Sequence, residues 1–328
     1  MLKWGVLSTA QIGVTQVIPA IQRSHNGQVV AIASRNVEKA KQIAEELDVE
    51  QAYGSYEELL DDPAIDAVYI PLPNALHKEW VIKAAEKKKH VLCEKPVAVS
   101  AAELEEMIAA CEKNGVTFME AFMYQFHPQH NKVKQLIADG VIGEVASLRA
   151  SFTFYLDDLS NIRLSQDLAG GSMFDVGCYT LHSIRHILGD EPVSVYAAQN
   201  KRVDFQVDTT MAGVLHFADG KLGIFDSSFD AVDQNVYEVS GSKGRIIVNG
   251  AYRPDTNETG DGEIIVKANG ETQVHQVPGD QYKLMVEHFA EAILENKPLY
   301  YHTEKMRNQM KVLDAVYRSA KSHQIEKI

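Results

Sequence analysis

Leu2-Lys3-Trp4-Gly5-Val6-Leu7-Ser8-Thr9-Ala10-Gln11-Ile12-Gly13 is the stretch whose reading decides the fold. Leu2 to Leu7 is an apolar run of strand length, and Ile12 to Ile21 follows with helical spacing. Between them lies a turn of small residues. A dinucleotide-binding turn has the form G-x-G-x-x-G: one glycine for the tight turn, one for close approach of the pyrophosphate, one for helix–strand packing. Ser8, Ala10 and Gly13 occupy those three positions, with Thr9 and Ile12 beside them. Serine and alanine are small enough for such a turn. The spacing alone does not separate a cofactor turn from an ordinary strand-to-helix turn; the surrounding pattern does.

That pattern alternates strand and helix over the first ~120 residues, as in a parallel α/β sheet. Val29 to Ala33 reads as a second strand, and Asn36 caps a helix with Ala40, Ile43, Ala44 and Leu47 on one face. Ala67 to Ile70, Val91 to Cys93 and Val116 to Met119 read as further strands. Ser100 with Glu103 forms a capping box ahead of the stripe Leu104, Met107, Ile108, Cys111, and Gly115 stands where the helix should end. An acidic residue at the end of the second strand would grip the adenosine ribose of NAD. Ser34 and Arg35 stand there instead, with Lys39 one turn on. A hydroxyl and two cations suit the 2′-phosphate of NADP, so NADP is expected over NAD.

The second half changes character. Val145 to Tyr155 and runs near 193–200, 210–217, 221–229, 235–240 and 245–248 are extended, with Gly220 and Gly241–Gly244 as turns. The pattern predicts a large, mostly antiparallel open sheet in an α+β domain over 123–328, following a Rossmann domain over 1–122. Helices expected near 126–139, 176–188 and 281–295 would cover one face of that sheet, and 303–320 would be a closing helix. A sheet face with too few helices to cover it points to a homodimer through that sheet.

Composition narrows the partners. The chain has 328 residues, 45% of them apolar, and a net charge of −13, which disfavours nucleic acid and anionic membranes. Cys93, Cys111 and Cys178 have no disulfide or zinc spacing, and a reduced, cytoplasmic setting is expected. The chain starts directly on a strand, without a signal-like segment. No apolar run reaches the roughly 20 residues of a membrane span, and no metal is expected.

Two stretches carry chemistry. Cys93-Glu94-Lys95-Pro96 follows a buried strand, so Lys95 would sit at a carboxyl edge where open α/β sheets place ligands. A surface Glu–Lys pair would read the same way. Gly170-Gly171-Ser172-Met173-Phe174-Asp175-Val176-Gly177-Cys178-Tyr179-Thr180-Leu181-His182 is read as a helix start. Asp175, Tyr179, His182 and His186 then share one face, and Cys178, Leu181, Ile184 and Leu188 another. A titratable cleft wall and a helix-starting Asp beside a core Tyr are both compatible with this.

These stretches resemble the glucose–fructose oxidoreductase/inositol dehydrogenase (Gfo/Idh/MocA) family, and its trans-dihydrodiol and D-xylose dehydrogenase branch. The resemblance runs through Trp4–Ala10, Tyr69-Ile70-Pro71-Leu72-Pro73-Asn74-Ala75-Leu76-His77, His90–Pro96, Glu120-Ala121-Phe122-Met123-Tyr124 and Asn161-Ile162-Arg163 to Tyr179. It implies an NAD(P)-dependent dehydrogenase or reductase acting on a CH–OH group of a sugar, polyol or cyclic diol. Lys95 would touch nicotinamide ribose and substrate, Tyr179 would exchange the proton, and Asp175 would be its partner. Leu72, Asn74, His77, Glu94 and Arg163 would contact or line the cofactor. Met123, Phe154 and Tyr155 are expected to line the substrate. A cofactor-binding regulator without turnover is the competing reading; it would be expected to lose Lys95 or the Asp175/Tyr179 pair.

Overall fold

The computed structural model describes residues 1–328. Two compact units emerge, Met1–Met123 with Gln281–Arg307, and Tyr124–Asp280 with Asn308–Ile328.

In the first unit the strands are β1 (Leu2–Leu7), β2 (Gly27–Ala33), β3 (Gln51–Tyr53), β4 (Ala67–Ile70), β5 (His90–Cys93) and β6 (Phe118–Glu120). They form one six-stranded sheet in the order β3-β2-β1-β4-β5-β6, and every pairing is parallel. Helices on both faces bury such strands completely, which is why they are continuous apolar runs; Val6, Leu7, Ile32 and all of β4 are buried. The helices are α1 (Ile18–Arg23), α2 (Val37–Glu46), α3 (Tyr56–Asp61), α4 (His77–Glu86) and α5 (Ala101–Asn114). Their caps are those the residues announce. Asn36, Ser55 and Ser100 accept from the amides of Lys39, Glu58 and Glu103, and Gly115 ends α5 at φ +68. The helix after the first turn is present, but begins with a π-helical turn over Gly13–Val17. β3, α3 and α4 had no strong periodic signal.

The second unit contains α6 (Pro128–Ala138), β7 (Val145–Tyr155), α7 (Cys178–Leu188), β8 (Pro192–Asn200), β9 (Thr210–Phe217), β10 (Leu222–Ser228), β11 (Asp230–Gly241), β12 (Gly244–Asn249), β13 (Gly262–Ala268) and β14 (Glu271–Val277). With β15 (Glu326–Lys327) these strands make a nine-stranded sheet, β14-β13-β12-β11-β7-β10-β9-β8-β15. Only β7 and β10 run parallel; the rest is antiparallel, as expected. α7 packs on β7 and β10.

One expectation is corrected. α8 (Gln281–Leu294) does not cover the large sheet. It packs on α1 and β2 in the first unit, where Phe289 meets Trp4 at a centroid distance of 5.3 Å and Glu287 accepts from the ring of His25. An amphipathic helix records that it has an apolar face, not which sheet receives it. α9 (Thr303–Ser322) starts in the first unit and continues into the second. No helix is long and apolar enough to cross a membrane.

Candidate active site

The strand order of the first unit reverses at β1, with β2 on one side and β4 on the other. Crevices at the carboxyl ends of such switch points hold dinucleotides. Ser8 leaves β1 there with φ 130, a backbone region that favours glycine. Its hydroxyl compensates. Ser8 Oγ donates to the carbonyl of Pro71 (3.3 Å), just past β4, and accepts from the amide of Ala10 (3.2 Å). The substituted fingerprint keeps the glycine conformation and adds a side-chain tie across the crevice. Gly13 is less demanding: a Cβ there would lie 3.5 Å from Pro71 and Tyr69. At the end of β2, Ser34 is buried and accepts from the amide of Asn36 (3.2 Å), while Arg35 and Lys39 are exposed. A dinucleotide fits this set: a tight turn at a switch point, followed by a helix start, with two exposed cations and no carboxylate at the end of β2.

The loops after β4 and β5 are tied by a histidine. His77 is fully buried, with Nε2 2.8 Å from the carbonyl oxygen of Leu72 and Nδ1 2.9 Å from that of Pro96. Burial, with a smaller contribution from the Lys95 charge, pushes its pKa down against the pull of these carbonyls. The neutral ring donates to one of these carbonyls and sets its other nitrogen against the second, and so shapes the loops that present Leu72, Asn74 and Lys95. Glu94 accepts from Tyr69 Oη at 2.6 Å, and Lys95 itself is half-buried.

In the second unit Gly170 and Gly171 turn the chain into a π-helical stretch, Met173–Gly177, that runs into α7. Asp208 fixes its start by accepting from Ser172 Oγ and the Met173 amide, both at 2.8 Å. Arg163 Nε then donates to Asp175 Oδ2 at 2.6 Å, and this carboxylate holds the guanidinium pKa up. Tyr179 follows in the first turn of α7, buried, its ring 5.7 Å from Tyr124, 5.6 Å from Phe152 and 5.5 Å from Tyr252 by centroid. Tyr124 Oη is hydrogen-bonded to Nδ1 of His182. The face carrying Asp175, Tyr179, His182 and His186 exists, but Tyr179 and His182 are packed in rings rather than solvated.

Phe154 and Tyr155 take opposite faces of β7. Phe154 is half-buried and packs on Phe229 (5.2 Å), against the same cluster of Leu156, Leu164 and Val176 that Phe152 meets. Tyr155 is 66% exposed under the Arg202 guanidinium. Alternation along β7 explains both: Phe152 and Phe154 share the face toward α7, and Tyr155 takes the other. Phe152 is the aromatic residue that meets Tyr179, and the period of two was the signal for it. Met123 is buried at the end of the first unit. Phe152, Tyr252 and His130 had no role assigned from sequence, and Tyr124 appeared only as the end of a motif.

Residues 2–122 match the model of an oxidoreductase family with an NAD-binding Rossmann fold, GFO/IDH/MocA, and residues 130–247 match a C-terminal domain of the same family. The chain belongs to the GFO/IDH/MocA oxidoreductase family. Among members of this family, a D-xylose 1-dehydrogenase (NADP(+)) from Haloferax volcanii is 42% identical over 323 residues, covering 98% of both chains. A trans-1,2-dihydrobenzene-1,2-diol dehydrogenase from Bos taurus is 36% identical over 74% of this chain and 72% of its own. A 3-ketoreductase from Actinomadura kijaniata, solved with NADP and TDP-benzene, superposes with a TM-score of 0.92 at 31% identity over 97% of each chain.

Proposed function

We propose that this GFO/IDH/MocA oxidoreductase is an NADP-dependent dehydrogenase or reductase acting on a hydroxyl or carbonyl carbon of a sugar, polyol or cyclic diol. The observation that carries it is Lys95, at the carboxyl end of β5, two strands along the same parallel sheet from the β1 turn, with its loop tied to the β4 loop through His77. Similarity over nearly the whole chain to an NADP-linked sugar dehydrogenase supports the same reading.

Ser8, Thr9, Ala10, Ile12 and Gly13 would hold the pyrophosphate, and Ser34, Arg35 and Lys39 the 2′-phosphate. Leu72, Asn74, Glu94, Lys95 and Arg163 would contact the remainder. The bound nicotinamide supplies the hydride acceptor or donor. Lys95 hydrogen-bonds the reacting oxygen, and Tyr179 takes or gives its proton, a step worth about 10²–10⁴ in rate. Asp175 orients Arg163.

The test is titration of the purified protein with NADP(H) and NAD(H), then an assay with D-xylose, other aldoses, polyols and a trans-dihydrodiol. The expected outcome is NADP(H) preference that weakens in Arg35→Ala, and turnover lost in Lys95→Ala and Tyr179→Phe. Cofactor binding with no turnover on any of these would favour a regulator, and no binding would end the reading.

A homodimer through the large sheet is part of the proposal. On the face away from α7, register places Tyr196, Val214, Ile224, Arg149, Glu238, Ile247, Ile265 and Val274 in one row across eight strands. Tyr196 and Val274 are 42% and 55% exposed. A two-fold axis along the strands, between Arg149 and Glu238, would set each arginine on the other copy's glutamate and join the apolar arms. Light scattering on Ile224→Asp tests this: a monomer is expected, and an unchanged mass in both proteins overturns it if that mass is the monomer's.

A further inference from the structure

Buried polar side chains next to a reacting group are costly unless they are satisfied or used. The second unit gathers several of them behind Tyr179. Tyr124, which is fully buried, is their hub. Its ring makes edge contacts with Tyr179 (5.7 Å), His182 (5.4 Å), His130 (4.9 Å) and His186 (6.4 Å), and its hydroxyl is hydrogen-bonded to His182 Nδ1. His182 stacks on His186 one helical turn on, at 5.5 Å and an interplanar angle of 22°. His186 is half-buried and lies 3.0 Å from Lys134 Nζ on α6, which is itself half-buried. The series therefore runs from a buried phenol to a partly solvent-exposed imidazole that an ammonium holds in place. His130 branches from it to Tyr237 Oη (2.9 Å). Burial, with the neighbouring His186, His127 and Lys134, keeps His130 well below the usual histidine pKa, which makes it a packing member rather than a carrier.

Packing alone does not require this composition. Phenylalanine and leucine would fill the volume without polar groups to satisfy. Oxidation of an alcohol, on the other hand, leaves a proton behind each time. The C–H bond breaks with its electron pair, the O–H bond breaks without it, and Tyr179 ends the step holding the hydroxyl proton. Tyr179 is buried, and that proton must reach water before the next turnover; reduction needs the reverse path.

We propose that Tyr124, His182 and His186 form the proton route between Tyr179 and solvent, with half-buried His186 as its solvent end and the Lys134 ammonium holding that ring by donating to it. The inference rests on the reading of Tyr179 as the proton-exchanging group. An imidazole takes a proton on one nitrogen and releases it from the other, a phenol takes one on its oxygen as it gives up the one already there, and nothing is oxidised or reduced along the way. The Tyr124–His182 joint is a direct hydrogen bond in this structure. The Tyr179–Tyr124 and His182–His186 joints are ring contacts, which the route requires to be crossed by a ring rotation or a transient water. Histidine is suited to the middle of such a route because its ordinary pKa lies near neutrality.

The experiment uses the full chain with NADP+ and D-xylose, or the most active substrate of the screen above. His182→Ala is expected to lower kcat about 10–100-fold, as loss of a proton-transfer group does, with KM little changed. Added imidazole should restore rate in proportion to its concentration. The solvent deuterium isotope effect should rise while the effect of deuterium at the reacting carbon falls. NADPH titration, which does not depend on turnover, should give the wild-type affinity. His186→Ala, at the solvent end, should show a smaller loss with the same buffer dependence. An unchanged kcat in both variants overturns the route. So does a loss that imidazole does not restore and that leaves the carbon isotope effect undiminished, because that is the signature of repacking. If circular dichroism shows His182→Ala unfolded, Tyr124→Phe, which keeps the ring, decides by the same readouts. Full activity in Tyr179→Phe would instead remove the reading on which the route rests.

Discussion

Arg163 Nε donates to Asp175 Oδ2 at 2.6 Å, joining a short loop helix to the turn that presents Tyr179. The guanidinium is 42% exposed and the carboxylate 15%, so the carboxylate is the member that would suffer from losing its partner. Arg163→Ala leaves a half-buried charge at the start of the helix, and Asp175→Asn keeps the shape while weakening the pair. Both should reduce kcat/KM, Arg163→Ala by about 10²-fold and Asp175→Asn by less, because displacement of a reacting group by an ångström has effects of that size. Steady-state kinetics check this; equal, near-wild-type values would show the pair to be ornamental to turnover.

Ser8 supports a prediction about stability in which the sign is the test. Its φ of 130 carries strain of about 1–3 kcal/mol for a residue with a Cβ. Its hydroxyl returns roughly 1 kcal/mol through hydrogen bonds to Pro71 and Ala10. Ser8→Gly should be as stable as the natural protein or more so, and Ser8→Ala less stable by about 1 kcal/mol. Urea unfolding midpoints give the order, and an alanine variant as stable as the glycine variant would contradict it.

Gly170 is a position where only hydrogen fits. A Cβ would stand 2.3 Å from the carbonyl oxygen of Arg163 and 3.0 Å from that of Ser165. Those same carbonyls accept from Gly171 and Gly170 at 2.8 Å, so the backbone cannot retreat without losing both bonds. Gly170→Ala should destabilise the protein by about 1–3 kcal/mol and reduce kcat by moving Arg163. Gly140→Ala is the control: at φ +71 with nothing within 4 Å, it meets backbone strain alone and should keep full activity.

Acid should weaken the fold in a defined window. Burial lowers the pKa of His77 and His130, and those of His90, His127 and His288 in the same direction. The unfolded chain takes up these protons from about pH 6.5 downward, while the folded protein resists them. Stability therefore falls as pH drops below 6.5, by up to about 1.4 kcal/mol per pH unit for each histidine, and levels off below the folded pKa values. Urea unfolding at pH 7.5 and 5.5 should show a lower midpoint at 5.5. His130→Phe should flatten that slope, and a midpoint that rises toward acid would refute the account.

Much of this protein is set locally and could be read from its residues. β1 and the turn after it, the caps Asn36, Ser100 and Gly115, the strands β4 and β5, and the long extended runs of the second half follow from short-range sterics and periodicity. The parallel sheet, the mostly antiparallel sheet and the positions of Lys95 and Tyr179 on their elements were legible in this way. Tertiary structure decided what chemistry each side chain is free to do. That His77 lies between two carbonyls from separate loops is a product of packing, which no local pattern shows. Phe154 and Tyr155 are neighbours in sequence, and the sheet sets one toward α7 and the other on the open face. α8 shows an apolar stripe in sequence, but which unit it joins depends on the shape of the surface around Trp4. The rings around Tyr179 come from β7, α7, residue 124 and residue 252, and no local pattern brings them together. Periodicity records which face of an element is buried; long-range packing alone determines against what.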